Sequence, residues 1–255
     1  LEAGGKKAIL AYPLVQQIKA QRFVQIVKAH AEASISAIVS QQLHVQLLSA
    51  AAAESGQTLR AMVDLDVGMH RTGVEVGDVA ANLYRAVAAH PHLEPAGLHV
   101  YDGHEHFSDE NERAAAAQRH IEDTRALAQR LRDEGLSVPS IVGGGSYSFA
   151  YYARAEGMCG SPGTSIYWDL SYGGGMPDMP FKWAALVLAQ VVDIHPGQQT
   201  ITTDLGHKAI CGDIPLAQRA KLLQNMEAEL VAQHEEHGVF RWPGELPAVG
   251  SYVLA

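Results

Sequence analysis

The chain has 255 residues, 47% of them apolar, enough for a substantial core in one large domain or one and a half. A formal charge of −9 excludes the basic face that nucleic-acid binding needs, and two cysteines, Cys159 and Cys211, are too few for a disulfide scaffold. No signal peptide is visible at Leu1, and the longest apolar run, at 183–192, is interrupted by Gln190 and far short of the roughly 20 residues of a membrane span. These totals fit a cytoplasmic protein in a reducing compartment, with no nucleic acid and no membrane among its partners.

Taken in chain order, Leu1–Gly5 reads as the tail of a helix closed by glycines, so the sequence opens inside an element. Ala8–Ala11 is a short buried strand. Pro13 suits a first helical turn, with Val15, Ile18, Val24 and Val27 among polar residues up to His30. Ser34–Val39 is strand-like. Ser40 can cap a helix that runs to about Glu54 and stops at Gly56. In Leu59–Val67 the apolar Val63, Leu65 and Val67 alternate with Met62, Asp64 and Asp66, the period of a strand. Asp78 can cap a helix through Ala89, and Leu98–Tyr101 is another strand. Asp109 and Glu112 form a capping-box pair for a helix to Glu134, whose charged face reads as solvated. Pro139–Val142 is a strand that runs into Gly143, Gly144 and Gly145, and a short helix follows from Ser148.

Strand and helix thus alternate with short links over residues 1–172, the pattern of a parallel sheet or barrel with helices outside. After Tyr172 the texture changes. Gly173–Gly175 and Pro177 read as a linker. The stretches 183–194 and 199–204 read as strands split by Pro196–Gly197. Residues 215–238 are ambiguous, with helical spacing but no firm apolar face. Residues 173–255 therefore read as a second, β-rich module.

Four strand ends hold the candidate chemistry: Gly68–Gly73, Tyr101–His106, Gly143–Ser148 and 161–169. If the strands are parallel neighbours, these segments converge on one face, which in such folds carries the active site. Arg71 there suits an anionic or aromatic-nitrogen ligand, or else is a solvated turn residue. Gly143–Gly145 leave room for backbone amides to approach a phosphate, with Ser146 adding a hydroxyl, or else simply make a tight turn. Gly163 and Thr164 offer a second such turn. Tyr101, Asp102, His104 and His106 place titratable groups on one loop, as acid, base or metal ligand, or as a polar loop. His234 and His237 are three apart, not the four of the helical zinc motif, and read as structural or surface. Cys211 reads as a packed thiol.

GMHRTG after DLD, YDGH after a strand, GGGSYS, PGTSIYWD and DLGHKAI, in this order, resemble the D-threonine aldolase and D-serine dehydratase branch of the alanine-racemase-like, fold type III pyridoxal-phosphate enzymes. The resemblance implies an eight-stranded α/β barrel of TIM type, here without its first two strands, followed by a C-terminal β domain, and a homodimer. It implies pyridoxal 5′-phosphate, with Arg71 at the pyridine nitrogen, Tyr101 near ring and substrate, and Gly144, Gly145, Ser146, Gly163 and Thr164 at the phosphate. Asp204 and Lys208 fall in a β-domain motif whose lysine is not catalytic, and Glu235–Gly238 follows a strand. The family's Schiff-base lysine lies before the segment matching Leu1, and its metal pair, a His followed two residues later by Asp or Cys, lies past the match to Ala255. A divalent metal, Mn, Mg or Zn, is thus implied for the complete protein, and no metal ligand in this segment. The implied activity is a lyase acting on D-configured β-hydroxy amino acids: retro-aldol cleavage to glycine and an aldehyde. Alternatives are dehydration to an oxo acid and ammonia, racemisation, or a non-catalytic cofactor-binding protein or fragment.

Overall fold

In the computed structural model, Leu1 and Gly4–Ala255 are described. Six strands come in chain order: β1 (Lys7–Leu10), β2 (Ser34–Val39), β3 (Leu59–Asp66), the two-residue β4 (Val74–Glu75), β5 (Leu93–Val100) and β6 (Ile141–Gly143). A seventh, β7 (Cys159–Gly160), completes a parallel sheet of order β1-β2-β3-β5-β6-β7, with β4 added beside β3. Helices cross between them: α1 (Gln17–Ala29), α2 (Gln42–Ser55), α3 (Asp78–Ala89), α4 (Glu110–Asp133) and α5 (Phe149–Arg154). Strands that neighbour in chain order, joined by helical crossovers of one hand, put every helix on one face and curl toward a barrel. The expected α/β barrel is present as a parallel partial barrel, followed by an antiparallel sheet of order β10-β11-β9-β8-β12. That sheet is built from β8 (Leu188–His195), β9 (Thr200–Thr203), β10 (Glu229–Gln233), β11 (Gly238–Arg241) and β12 (Tyr252–Leu254).

Alternation along the parallel strands sorts two faces. Leu59, Ala61, Val63 and Leu65 of β3, with Ile35, Ala37 and Val39 of β2 and Leu98 and Val100 of β5, join the helices in one continuous core. The opposite parity, Ser36, Met62, Asp64 and His99, is also buried but faces the other way. There Asp64 Oδ1 and His99 Nδ1 meet at 2.6 Å, so the polar layer is internally paired. The same parity leads to Asp66, the last residue of β3, and to Tyr101, the first residue past β5.

Several elements begin or end elsewhere than the sequence suggests. The helix tail expected at Leu1–Gly5 falls on Glu2 and Ala3, outside the described residues. Pro13 stays in coil and α1 starts at Gln17, leaving Val15 and Ile18 exposed while Ala20, Phe23 and Val24 make the contact with the core. Ser40 is not a cap: its N–H donates to His44 Nδ1 at 3.2 Å, and Gln41 precedes the helix. Gly56 does end α2, in the left-handed conformation. Asp78 is the first residue of α3, with Gly77 before it. Asp109 caps α4 as expected, accepting from the amides of Asn111 and Glu112. The face of α4 is not all solvated, since Arg113 is buried and donates to the carbonyls of Phe107 and Ser108.

Contacts divide the chain into two compact units, Leu1–Gly163 and Thr164–Ala255. In the second, Gly173–Gly175 are not a linker but close a short helix, α6 (Leu170–Gly175), whose first turn Asp169 caps through the Tyr172 amide. The apolar run at 183–187 precedes the strand, which starts at Leu188. Residues 215–238 hold one turn of 3-10 helix and then β10, so the helical spacing there is overridden by strand pairing. The core of this unit gathers Ala189, Val191, Ile201, Leu230, Phe240 and Trp242.

Candidate active site

Asp66, the last residue of β3, organises the first loop. Its Oδ1 accepts from the amides of Gly68 and His70, each at 3.0 Å, and its Oδ2 lies 2.8 Å from His70 Nδ1. Burial pushes the Asp66 carboxyl up, but these amides and the His70 imidazole outweigh it and hold it below the usual carboxylate range. The turn needs left-handed backbone at Gly68 (φ 123°) and His70 (φ 53°). Gly73 then folds back so tightly that a Cβ would come 2.5 Å from the Asp66 nitrogen, which lets β4 pair with the end of β3. The result is Arg71 held on a tight loop between two strands.

Tyr101 follows the neighbouring strand β5. Its ring folds over Gly103, where a Cβ would fall 2.3 Å from the phenol. The guanidinium carbon of Arg71 lies 4.7 Å from the centre of that ring, a cation–π contact. Arg71 and Tyr101, 30 residues apart in the chain and singled out separately, therefore meet across adjacent strand ends.

The glycine triplet after β6 has several jobs. Tyr152, fully buried, packs against Gly143 and Gly144, where added Cβ atoms would fall 2.6 and 2.9 Å from its ring. Gly144 has φ 95° and gives its N–H to the Val100 carbonyl. The Gly145 N–H donates to Asp102 Oδ1 at 2.6 Å, and the Ser148 hydroxyl donates to the same oxygen at 2.6 Å. The Asp102 carboxylate is 1% exposed and thus bolts the loop after β5 to the loop after β6. Burial, and then the Asp102 charge, disfavour the phenolate and push the pKa of Tyr152 well above its ordinary value.

This fills in what sequence patterns left open. The amides of Gly144 and Gly145 serve the turn itself, and Ser146, half-buried beside them, is the polar group of the triplet that stays toward solvent. The helix after it, α5, has six residues, too short to add a field of its own. Because β6 and β7 are parallel neighbours, the turns leading to Ser146 and to Gly163 leave the same edge of the sheet. Gly163 is exposed, with open space where a side chain would be. Thr164 opens the second unit, its hydroxyl 2.7 Å from that of Tyr172.

The two histidines of YDGHEH part company. His106 lies against Tyr147, ring centres 5.0 Å apart and planes tilted by 32°, and so reaches the loop after β6. His104 turns to Glu105 and to His120 of α4. His120 and the clamping role of Asp102 escape sequence reasoning: His120 lies inside a helix read as solvated, and a lone aspartate in a polar loop carries no sign of its partner 43 positions on.

In the second unit, His234–His237 form the tight connection between β10 and β11, the His234 amide donating to the His237 carbonyl at 2.7 Å. Glu236 and Glu235 pair with Lys208, raising the pKa of its ammonium above the ordinary value, on an exposed hairpin. Cys211 is exposed, not packed as expected, and Cys159 is exposed as well.

Comparison with known proteins agrees with this geometry. Residues 8–171 match the family described as alanine racemase, N-terminal domain, and residues 184–255 match a putative serine dehydratase domain. A D-threonine aldolase of an Arthrobacter species is 28% identical over 222 residues, 82% of this chain and 55% of that protein. A 3-hydroxy-D-aspartate aldolase of Paracoccus denitrificans is 28% identical over 248 residues, 92% of this chain and 62% of its own length. The chain thus spans between 55% and 62% of these curated relatives. The crystal structure of D-threonine aldolase from Filomicrobium marinum superposes with a TM-score of 0.88 at 27% identity, covering 99% of this chain and 68% of that one. A D-threo-3-hydroxyaspartate dehydratase from a Delftia species shares the fold, with a TM-score of 0.85 at 19% identity over 99% of this chain and 72% of that one. With its strand order, its paired strand-end loops and a match over most of its length, the chain belongs to the alanine racemase N-terminal domain family.

Proposed function

We propose that the protein carrying this chain is a pyridoxal-phosphate-dependent lyase that cleaves D-configured β-hydroxy amino acids between Cα and Cβ, giving glycine and an aldehyde. The observation that carries this reading is the Arg71 guanidinium set 4.7 Å over the Tyr101 ring at neighbouring strand ends. Such a pair offers a permanent cation and an aromatic wall to a flat heterocycle. The aldolases named above, each 28% identical, support the same reaction class.

The donor set fits the cofactor. Arg71 would face the pyridine nitrogen and Tyr101 would line the ring, while Ser146 and Gly163 would receive the phosphate. Gly144 and Gly145 would shape that turn rather than donate to it, their amides being bound within the protein. Pyridoxal phosphate supplies an electron sink for bond cleavage at Cα. A guanidinium cannot give its proton away, so Arg71 would keep the nitrogen it faces uncharged and favour narrow chemistry. In the reaction the β-hydroxyl loses a proton as the Cα–Cβ bond breaks, and Cα gains one. The divalent metal of the family enters as a proposal for the complete protein: among the described residues no histidine is followed two positions later by Asp or Cys. A cytoplasmic homodimer completes the proposal.

A second reading, dehydration to an oxo acid and ammonia, is favoured by the match of residues 184–255 to a putative serine dehydratase domain. One experiment separates the two. Full-length protein with pyridoxal phosphate is given D-threonine, L-threonine or D-serine, with and without chelator, and glycine and ammonia are measured. Glycine from D-threonine alone is the expected result; ammonia would establish dehydration, and neither product would overturn both. Arg71→Ala is expected to weaken cofactor binding tenfold or more in an absorbance titration, and an unchanged titration would remove Arg71 from the site.

A further inference from the structure

The loop after β5 and the third turn of α4 bring three residues of metal-ligating type together. His104 Nε2, Glu105 Oε1 and His120 Nε2 converge, with the ligand atoms all within 4.8 Å of one another. We propose that His104, Glu105 and His120 bind a first-row divalent cation, zinc by preference, which ties the Tyr101–Ser108 loop to α4.

Three observations carry the assignment. The first is distance. Glu105 Oε1 lies 3.3 Å from His120 Nε2 and 3.6 Å from His104 Nε2. In a tetrahedral site with bonds of about 2.1 Å, neighbouring ligand atoms are about 3.4 Å apart. Two edges of the ligand triangle are therefore already near the required length, and the third is no longer than 4.8 Å. The second is preparation. Gly68, at φ 123°, sits where a Cβ would come 2.9 Å from His104 Nε2, so the absent side chain makes room for the nitrogen that would bind metal. The Glu105 and His120 side chains are 16% and 12% exposed, so two of the three ligands are already held by packing. The third is the field. A cavity of about 370 Å³ beside Glu105 and His120 is also lined by Asp66, Glu75, Asp123 and Arg119, so that with Glu105 four carboxylates stand against one guanidinium. Its net charge draws cations.

Two imidazoles and one carboxylate suit zinc and other borderline divalent metals, and leave a coordination position for water. Such an ion would cross-link the loop to α4 at residues 15 positions apart, where Glu105 Oε1 and His120 Nε2 already lie 3.3 Å from each other, beyond the Arg113 hydrogen bonds to Phe107 and Ser108. Because Tyr101 starts the loop, the ion would also steady the ring that Arg71 covers. The assignment does not depend on the lyase activity.

The test uses full-length protein stripped with chelator, then titrated with zinc against a colorimetric chelator, and separately with cobalt while its visible spectrum is followed. Wild type is expected to bind one more equivalent per chain than the variant His104→Ala/His120→Ala. Glu105→Gln, which keeps the side-chain shape, is expected to weaken that equivalent tenfold or more and decides the matter if the double variant fails to fold. Zinc is also expected to slow proteolysis within the Tyr101–Ser108 loop of wild type but not of Glu105→Gln. Equal stoichiometry and affinity in wild type and Glu105→Gln would overturn the site and leave the three side chains as a hydrogen-bonded network only.

Discussion

His44 shows how much one side chain can encode that a pattern does not. It lies on α2, buried, and its Nδ1 accepts the Ser40 N–H at 3.2 Å. The accepting nitrogen must be unprotonated, so the imidazole is neutral, and burial lowers its pKa below the ordinary 6.5. In the unfolded chain the same group titrates near 6.5 and binds more protons than the folded state below that pH. The contribution of His44 to stability is therefore complete above about pH 6.5 and lost as the pH falls from there through the lowered value. The Tm of wild type is expected to decline over that interval, and more steeply than the Tm of His44→Gln; identical slopes would dismiss the effect. Arg71 and Tyr101 were legible because their neighbours, Gly68, Gly73 and Gly103, spell out where the chain must bend. Cys211 was not, because a single thiol carries no pattern to say which way it points.

At the level of elements, β3 was legible because Val63 and Leu65 alternate with Asp64 and Asp66, the period of a strand. The C-terminal strands were not. Residues 215–238 carry Glu and Gln at helical spacing, yet pairing of Glu229–Gln233 with Gly238–Arg241 prevails, since strand partners lie outside any local window. Helix starts slipped by one residue: Ser40 and Asp78 are good capping types, but Gln41 holds the position before α2, and Gly77, at φ 127°, the position before α3. The bulge in β5 yields a sharper prediction. The pairing with β3 skips one residue between Pro95 and Gly97, and Gly97 has φ 119°. A Cβ there would lie 1.8 Å from the Ser140 carbonyl oxygen, itself bonded to the Leu98 amide at 3.0 Å. Gly97→Ala is expected to cost about 2–3 kcal/mol in denaturant unfolding. Gly163→Ala, which meets nothing, is expected to stay within about 0.5 kcal/mol of wild type. Equal midpoints for the two variants would refute the bulge's role.

Across the whole molecule, the parallel α/β arrangement was legible in the alternation of strands and helices, and no helix among the described residues is long and apolar enough to cross a membrane. The second unit keeps large apolar side chains on its surface: Ile166 is 76% exposed, Leu188 62%, Tyr252 61% and Tyr167 58%. Exposure on this scale is usual for a surface that another chain covers. The proposed homodimer is therefore expected to sediment at twice the mass of the full-length chain at micromolar concentration, and a single monomeric species there would argue against it.

The bolt formed by Asp102 has a consequence for how the protein breathes. A turn amide ordinarily trades its hydrogen for deuterium within moments, since loops open at little cost. The Gly145 amide, shut behind a carboxylate 43 positions away, should instead be released only when both strand-end loops part together. Its exchange should keep pace with that of the Val100 and Gly143 amides in the sheet, making a glycine in a bend one of the last places that solvent reaches.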